Sequence, residues 1–69
     1  MHTVADVAGA ISVAVFGPER PAPRNLDGLA DLLREARPAR VVACDWHLPA
    51  DETRKVAAIF RDNRVELVR

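Results

Sequence analysis

A chain of 69 residues is one domain at most, and a domain of that size buries only ~60% of the surface its unfolded form exposes. Hydrophobic residues make up 49% of it, a globular composition, while ten basic side chains balance ten acidic ones. With a formal charge of zero, no net field draws the chain toward nucleic acid or an anionic membrane, so neither is an expected partner.

In chain order, residues 1–10 read as an N-terminal arm ahead of a single small α/β domain over residues 11–69. Val4, Val7 and Ala8 suit a short helix, an edge strand or a loose arm alike. Ile11–Phe16 reads as a strand, with Ile11, Val13 and Val15 on one face and Gly17-Pro18 ending it. Its flank from Val7 to Phe16 is too short for a bilayer, which needs ~20 apolar residues. The residues before it carry Asp6 and no Lys or Arg, unlike a secretory signal. Pro18, Pro21 and Pro23 then make a non-helical connection.

Asn25 is placed to cap a helix running to Ala36, whose Leu26, Leu29, Ala30, Leu32, Leu33 and Ala36 recur at helical spacing. Pro38 closes it. Arg40–Trp46 reads as a second, buried strand, broken by Leu48-Pro49. A second helix starts near Asp51, buries Val56, Ile59 and Phe60, and ends at Asn63. Val65–Val68 is the last strand. The expected fold is therefore α/β, a small three-stranded parallel sheet in β-α-β-α-β order with two packed helices. Placing the first strand in the centre, the preferred order, puts those helices on opposite faces; strands in chain order would put both helices on one face and leave the other bare, which invites self-association.

The chemistry-bearing residues are few. Cys44, the lone cysteine, cannot form an internal disulfide, which makes a reducing cytoplasm the expected setting. Cys44, Asp45 and His47 carry metal-type donors, but Cys44 and Asp45 alternate on a strand and only His2 remains to complete a set, so no metal site is expected. No phosphate-cradling glycine loop occurs, and no cofactor is expected. The arginines, among them Arg34, Arg37, Arg40, Arg61, Arg64 and Arg69, are interleaved with acids and read as a solvated face.

Two family resemblances carry functional expectations. Asn25-Leu-Asp27-Gly-Leu-Ala-Asp31-Leu-Leu33 resembles the N-L-D-A-L-x-D-x-L helix of barstar-like ribonuclease inhibitors. The following Val41, Val42, Asp45 and Trp46 are similar to that family's apolar strand with an acid–Trp end, and Ile59-Phe-Arg-Asp62 looks like its last helix. The resemblance spans about residues 25–69, with a deletion after the strand. It implies a non-enzymatic protein that plugs a basic ribonuclease with an acidic surface, the binding acids falling on Asp27, Asp31 and Asp62. The chain departs from the family in its Pro-rich stretch, where a further helix would stand, and in Arg20 and Arg24 beside the acids.

Arg37 to Pro49, with Asp45-Trp-His-Leu-Pro49 at its end, resembles the central strand and turn of response-regulator receiver domains. That resemblance puts Asp45 at the phospho-acceptor position, although Val15-Phe16-Gly17 stands where the family's acidic pair would be. A third expectation needs no family: a small structural subunit whose apolar arm, Val4 to Ala10, packs on a second copy.

Overall fold

Thr3 starts a helix, the first of the three conformations open to the N-terminal arm. Its hydroxyl accepts from the Asp6 N–H at 3.1 Å, and the Asp6 carboxylate accepts from the His2 N–H at 2.9 Å and the Thr3 N–H at 3.3 Å. This reciprocal cap satisfies amides that a helix end otherwise leaves bare. The computed structural model describes all of residues 1–69, in the order α1 (Val4–Phe16), α2 (Leu26–Ala36), β1 (Arg40–Val42), α3 (Ala50–Asp62) and β2 (Glu66–Val68).

The three-stranded sheet is thereby corrected to a two-stranded one, because Ile11–Phe16 is the second half of α1. The boundary at residue 10 falls inside that helix. Helical spacing groups Val4, Val7, Ala8 and Ile11 on one side, and the last three of these are buried. Val13 and Val15, which a strand would have placed beside Ile11, are 52% and 45% exposed. Burial of the Val7–Ile11 stripe on α2 outweighs the β preference of Ile and Val over six residues.

α2 follows the sequence reading. Asn25 Oδ1 accepts from the Gly28 N–H at 2.8 Å, Leu29, Leu32 and Leu33 are buried, and Arg37 ends the helix in the left-handed region with φ 48°. Arg20 fastens the Pro-rich connection to it: its guanidinium lies 3.9 Å from the Phe16 ring centroid and bonds both Glu35 oxygens, at 2.7 and 2.9 Å.

β1 covers Arg40–Val42 rather than Arg40–Trp46, since Asp45 turns the chain with φ 52°. Trp46 then packs half-buried against the core, and its indole N–H donates to Thr53 Oγ1 at 2.9 Å. α3 buries Val56 and Phe60, and Asn63 caps it as expected, its side-chain amide donating to the Ile59 carbonyl at 2.9 Å. β2 pairs parallel with β1 in the register Arg40–Glu66, Val41–Leu67 and Val42–Val68.

α1 packs on α2, α2 on α3, and α3 on β2. The sheet is consequently covered on one face. Val41 and Leu67 turn inward and are half-buried; Arg40, Val42, Glu66 and Val68 form an exposed outer face. The preferred arrangement, helices on opposite faces of a central first strand, fails because that strand is absent; one face of the sheet is bare. Ten buried residues, from Val7 to Val65, form the one core cluster. Ser12 is the exception among the buried residues, its hydroxyl having no hydrogen-bond partner. No helix is long and apolar enough to cross a membrane.

Candidate functional site

Asp27 and Asp31 are exposed on α2, four residues or about 6 Å apart along the axis at the helical rise. Asp27 makes no ion pair, whereas Asp31 accepts from Arg34 at 2.9 Å. The Pro-rich connection flanks them: Arg20, Pro21 and Pro23 line one depression with Gly28, Asp31 and Glu35. Gly28 stands where the barstar-like motif has Ala, and a Cβ there would come within 2.3 Å of the Pro23 Cβ. That close approach requires glycine.

Asp62 lies elsewhere. It ends α3 and lines a depression with Arg34, Arg37 and Arg64, at the C-terminal end of α2 rather than at its start. Ten residues of α2 separate the levels of Asp27 and Arg37, about 15 Å at the helical rise. The structure thus groups Asp27 with Asp31 and sets Asp62 among arginines.

Asp45 sits beyond the C-terminal end of β1, in an exposed bend. Its carbonyl oxygen accepts from the Met1 ammonium at 2.6 Å, and the His47 N–H donates to the Met1 carbonyl at 2.7 Å. These bonds tie the chain's start to the β1–α3 connection. They also bring His2 onto His47, with ring centroids 5.0 Å apart and planes 14° apart. Nowhere do three His, Cys, Asp or Glu side chains converge in a way that would hold a metal ion. A phosphorylated carboxylate needs a divalent cation held by further acids, and Asp45 has no such neighbours. Cys44 is exposed.

The feature that sequence reasoning missed is the sheet margin. The Glu66 N–H donates to the Ala39 carbonyl at 3.1 Å, and the Ala43 N–H to the Val68 carbonyl at 2.8 Å. Residues 39 and 43 of the first strand's run, and 66 and 68 of the second, therefore turn their backbone groups toward each other. By the two-residue period of a strand, Arg40 and Val42 on β1, and Leu67 on β2, turn theirs outward to unpaired edges.

The two edges differ in chemistry. Beside β1 runs a mostly apolar groove, lined by Ala10, Ile11, Ala14 and Val15 of α1 with Val41 and Val42. Beside β2 lies a depression floored by Ala57, Phe60, Val65 and Leu67 and rimmed by Arg61, Arg64 and Arg69, with Glu66 at its margin. The ion pairs of the chain are Arg20–Glu35, Arg34–Asp31 and Arg40–Glu66, so none of those three arginines is paired. Arg69 stacks its guanidinium 5.8 Å from the Trp46 ring centroid. The only local signal was the three-residue spacing of Arg61 and Arg64; that both flank a free strand edge depends on where α3 stops.

No protein-family model, curated protein or solved structure matches the chain.

Proposed function

We propose that this chain is a non-enzymatic protein-binding module that engages its partner through the margin of its short sheet. The observation that carries the reading is a two-stranded parallel sheet with an exposed outer face and outward-turned backbone groups on both edges. Such edges accept an added strand, main-chain bonds giving affinity and flanking grooves giving selectivity. The exposed Val42 and Val68 pair on the outer face, and Val15 stands above the β1 groove. These apolar groups lie where a docked segment would cover them.

Selection of displayed random peptides on the immobilised full chain tests the proposal. The expected outcome is a set of binders that shift the amide resonances of residues 40–42 or 66–68. Binders that all map to other surfaces, or a selection that enriches nothing, would count against it.

A second reading, inhibition of a basic ribonuclease, has one observation in its favour: Asp27 and Asp31 are both exposed on a single face of α2. Residual activity of guanyl-specific ribonucleases is the measurement. Full activity at a large excess of the chain removes that reading for the enzymes tried.

A further inference from the structure

The β2 margin combines three properties that occur together nowhere else in the molecule. The first is an open strand edge at Leu67, whose N–H and C=O point away from β1. The second is an apolar floor of Ala57, Phe60, Val65 and Leu67. The third is a rim of three exposed arginines, Arg61, Arg64 and Arg69, without an acidic partner among them. Glu66 also lines the depression, but by strand alternation its side chain leaves toward the outer face, where its carboxylate is bonded to Arg40.

We infer that the β2 edge takes an extended, acidic peptide segment as an additional strand. The inference rests on the protein-binding reading and adds the chemistry of the partner. Residues alternate faces along a strand, and Leu67 and Arg69 share the face that α3 covers. Acidic side chains at alternate positions of the incoming strand therefore lie on the same side as Arg61, Arg64 and Arg69. The intervening positions lie beside Glu66 and Val68 on the outer face, where a further acid would meet Glu66 and an apolar residue would extend the Val42–Val68 pair. The preferred segment alternates acidic with apolar residues.

Charge supplies the selection. A basic segment would bring like charge against three unpaired guanidiniums, while an acidic one gives each a carboxylate, with bidentate geometry open to arginine. Because all three arginines are exposed, the attraction is screened by salt. A nucleic acid would also answer to arginines, but the chain has no net positive charge, and the one aromatic ring of this depression, Phe60, is buried in its floor and offers no exposed face to stack a base.

The test titrates the full-length, nitrogen-15-labelled chain with four ligands. They are a peptide of four Glu-Val repeats, one of four Lys-Val repeats, a block peptide of four Glu followed by four Val, and a single-stranded oligonucleotide. The Glu-Val peptide is expected to shift the amides of Leu67 and its neighbours and to lose about tenfold or more of its affinity in the double variant Arg61→Glu, Arg64→Glu, comparable to removing two charge-assisted contacts. Both substituted residues are exposed, and unchanged circular dichroism and Trp46 emission confirm that the variant is folded. Equal binding of the Lys-Val or block peptide, tighter binding of the oligonucleotide, shifts confined to Arg40 and Val42, or no binding of the Glu-Val peptide would overturn the inference. Shifts at the β1 edge alone leave the protein-binding reading standing, and its own peptide selection decides that reading separately.

Discussion

Gly9 lies in the interior of α1, and a Cβ built there meets nothing within 4 Å. Glycine in a helix interior is less favourable than alanine by about 1 kcal/mol, partly because it leaves the unfolded chain more freedom. Gly9→Ala is therefore expected to stabilise the protein by about that amount, which for a domain of this size raises the melting temperature by roughly 4–8 °C. Gly28, also helical, must respond in the opposite sense. Its added Cβ would sit 2.3 Å from the Pro23 Cβ and 3.1 Å from Asn25 Oδ1, the oxygen that caps α2. Forcing Pro23 aside costs about 1–3 kcal/mol, enough to cancel or exceed the helix gain and to disturb the cap. Urea unfolding followed by far-ultraviolet circular dichroism and by Trp46 emission measures both changes, and coincident transitions license the two-state comparison. If residues 1–10 were a loose arm, Gly9→Ala would leave the midpoint unmoved. That result, or stabilisation by Gly28→Ala, would refute the placement of α1 or of the Pro23 contact.

Ser12→Ala removes a buried hydroxyl that has no partner and should raise unfolding stability by about 1 kcal/mol in the same assay. Phe60→Ala deletes the largest fully buried side chain, a loss of about 3–5 kcal/mol. A core of this size supplies only ~3–5 kcal/mol in all, so circular dichroism should show that variant largely unfolded at room temperature. The Asp6 carboxyl is held below its ordinary range by the His2 backbone N–H first, against some desolvation, and then by the Thr3 N–H and the positive N-terminus. A depressed carboxyl contributes stability above its unfolded pKa, about 3.9, and loses it as pH falls through the lower folded value. Asp6→Asn should accordingly be less stable than the parent at neutral pH, with the difference shrinking as an acid titration passes below that range.

The elements legible in the sequence are those whose signals are local and redundant. Asn25, the leucine stripe and Pro38 define α2 from both ends, and Asn63 ends α3 by bonding its own preceding turn. Arg40 marks where β1 begins and Val65 falls one residue ahead of β2, yet β1 stops after three residues because Asp45 and the Met1 ammonium hold a bend that no alternation of apolar residues encodes. α1 was misread for a different reason. Ile11–Phe16 has strand alternation over six residues, too few to decide the period. The stripe Val4, Val7, Ala8, Ile11 crosses the boundary drawn at residue 10, and Thr3-x-x-Asp6 is a capping signature in plain view. For the candidate site, Asp27 and Asp31 were legible as one helix face. The arginine rim was not, since it needs the end of α3, the parity of β2 and the absence of a neighbouring strand at once.

A free sheet edge in a monomer invites pairing with its own copy, and the two edges here meet that hazard by different means. α1 runs beside β1, so anything approaching that edge must enter a groove walled by Ile11, Ala14 and Val15. Beside β2 the helix is α3, which brings Arg61 to the margin along with Arg64 and Arg69. Two copies joined through their β2 edges would bring Arg61, Arg64 and Arg69 of each toward the same residues of the other, and repulsion among six guanidiniums opposes that pairing. The same charges that exclude a second copy favour an acidic strand, so one set of side chains both rejects self-association and selects the partner. Salt acts on both effects: at about 1 M the screening length falls to ~3 Å and both weaken together. Sedimentation should then show the chain monomeric at low salt and more prone to associate at high salt. Self-association that is strongest at low salt would mean that the copies meet through attracting charges, and that the arginine rim does not govern the β2 edge.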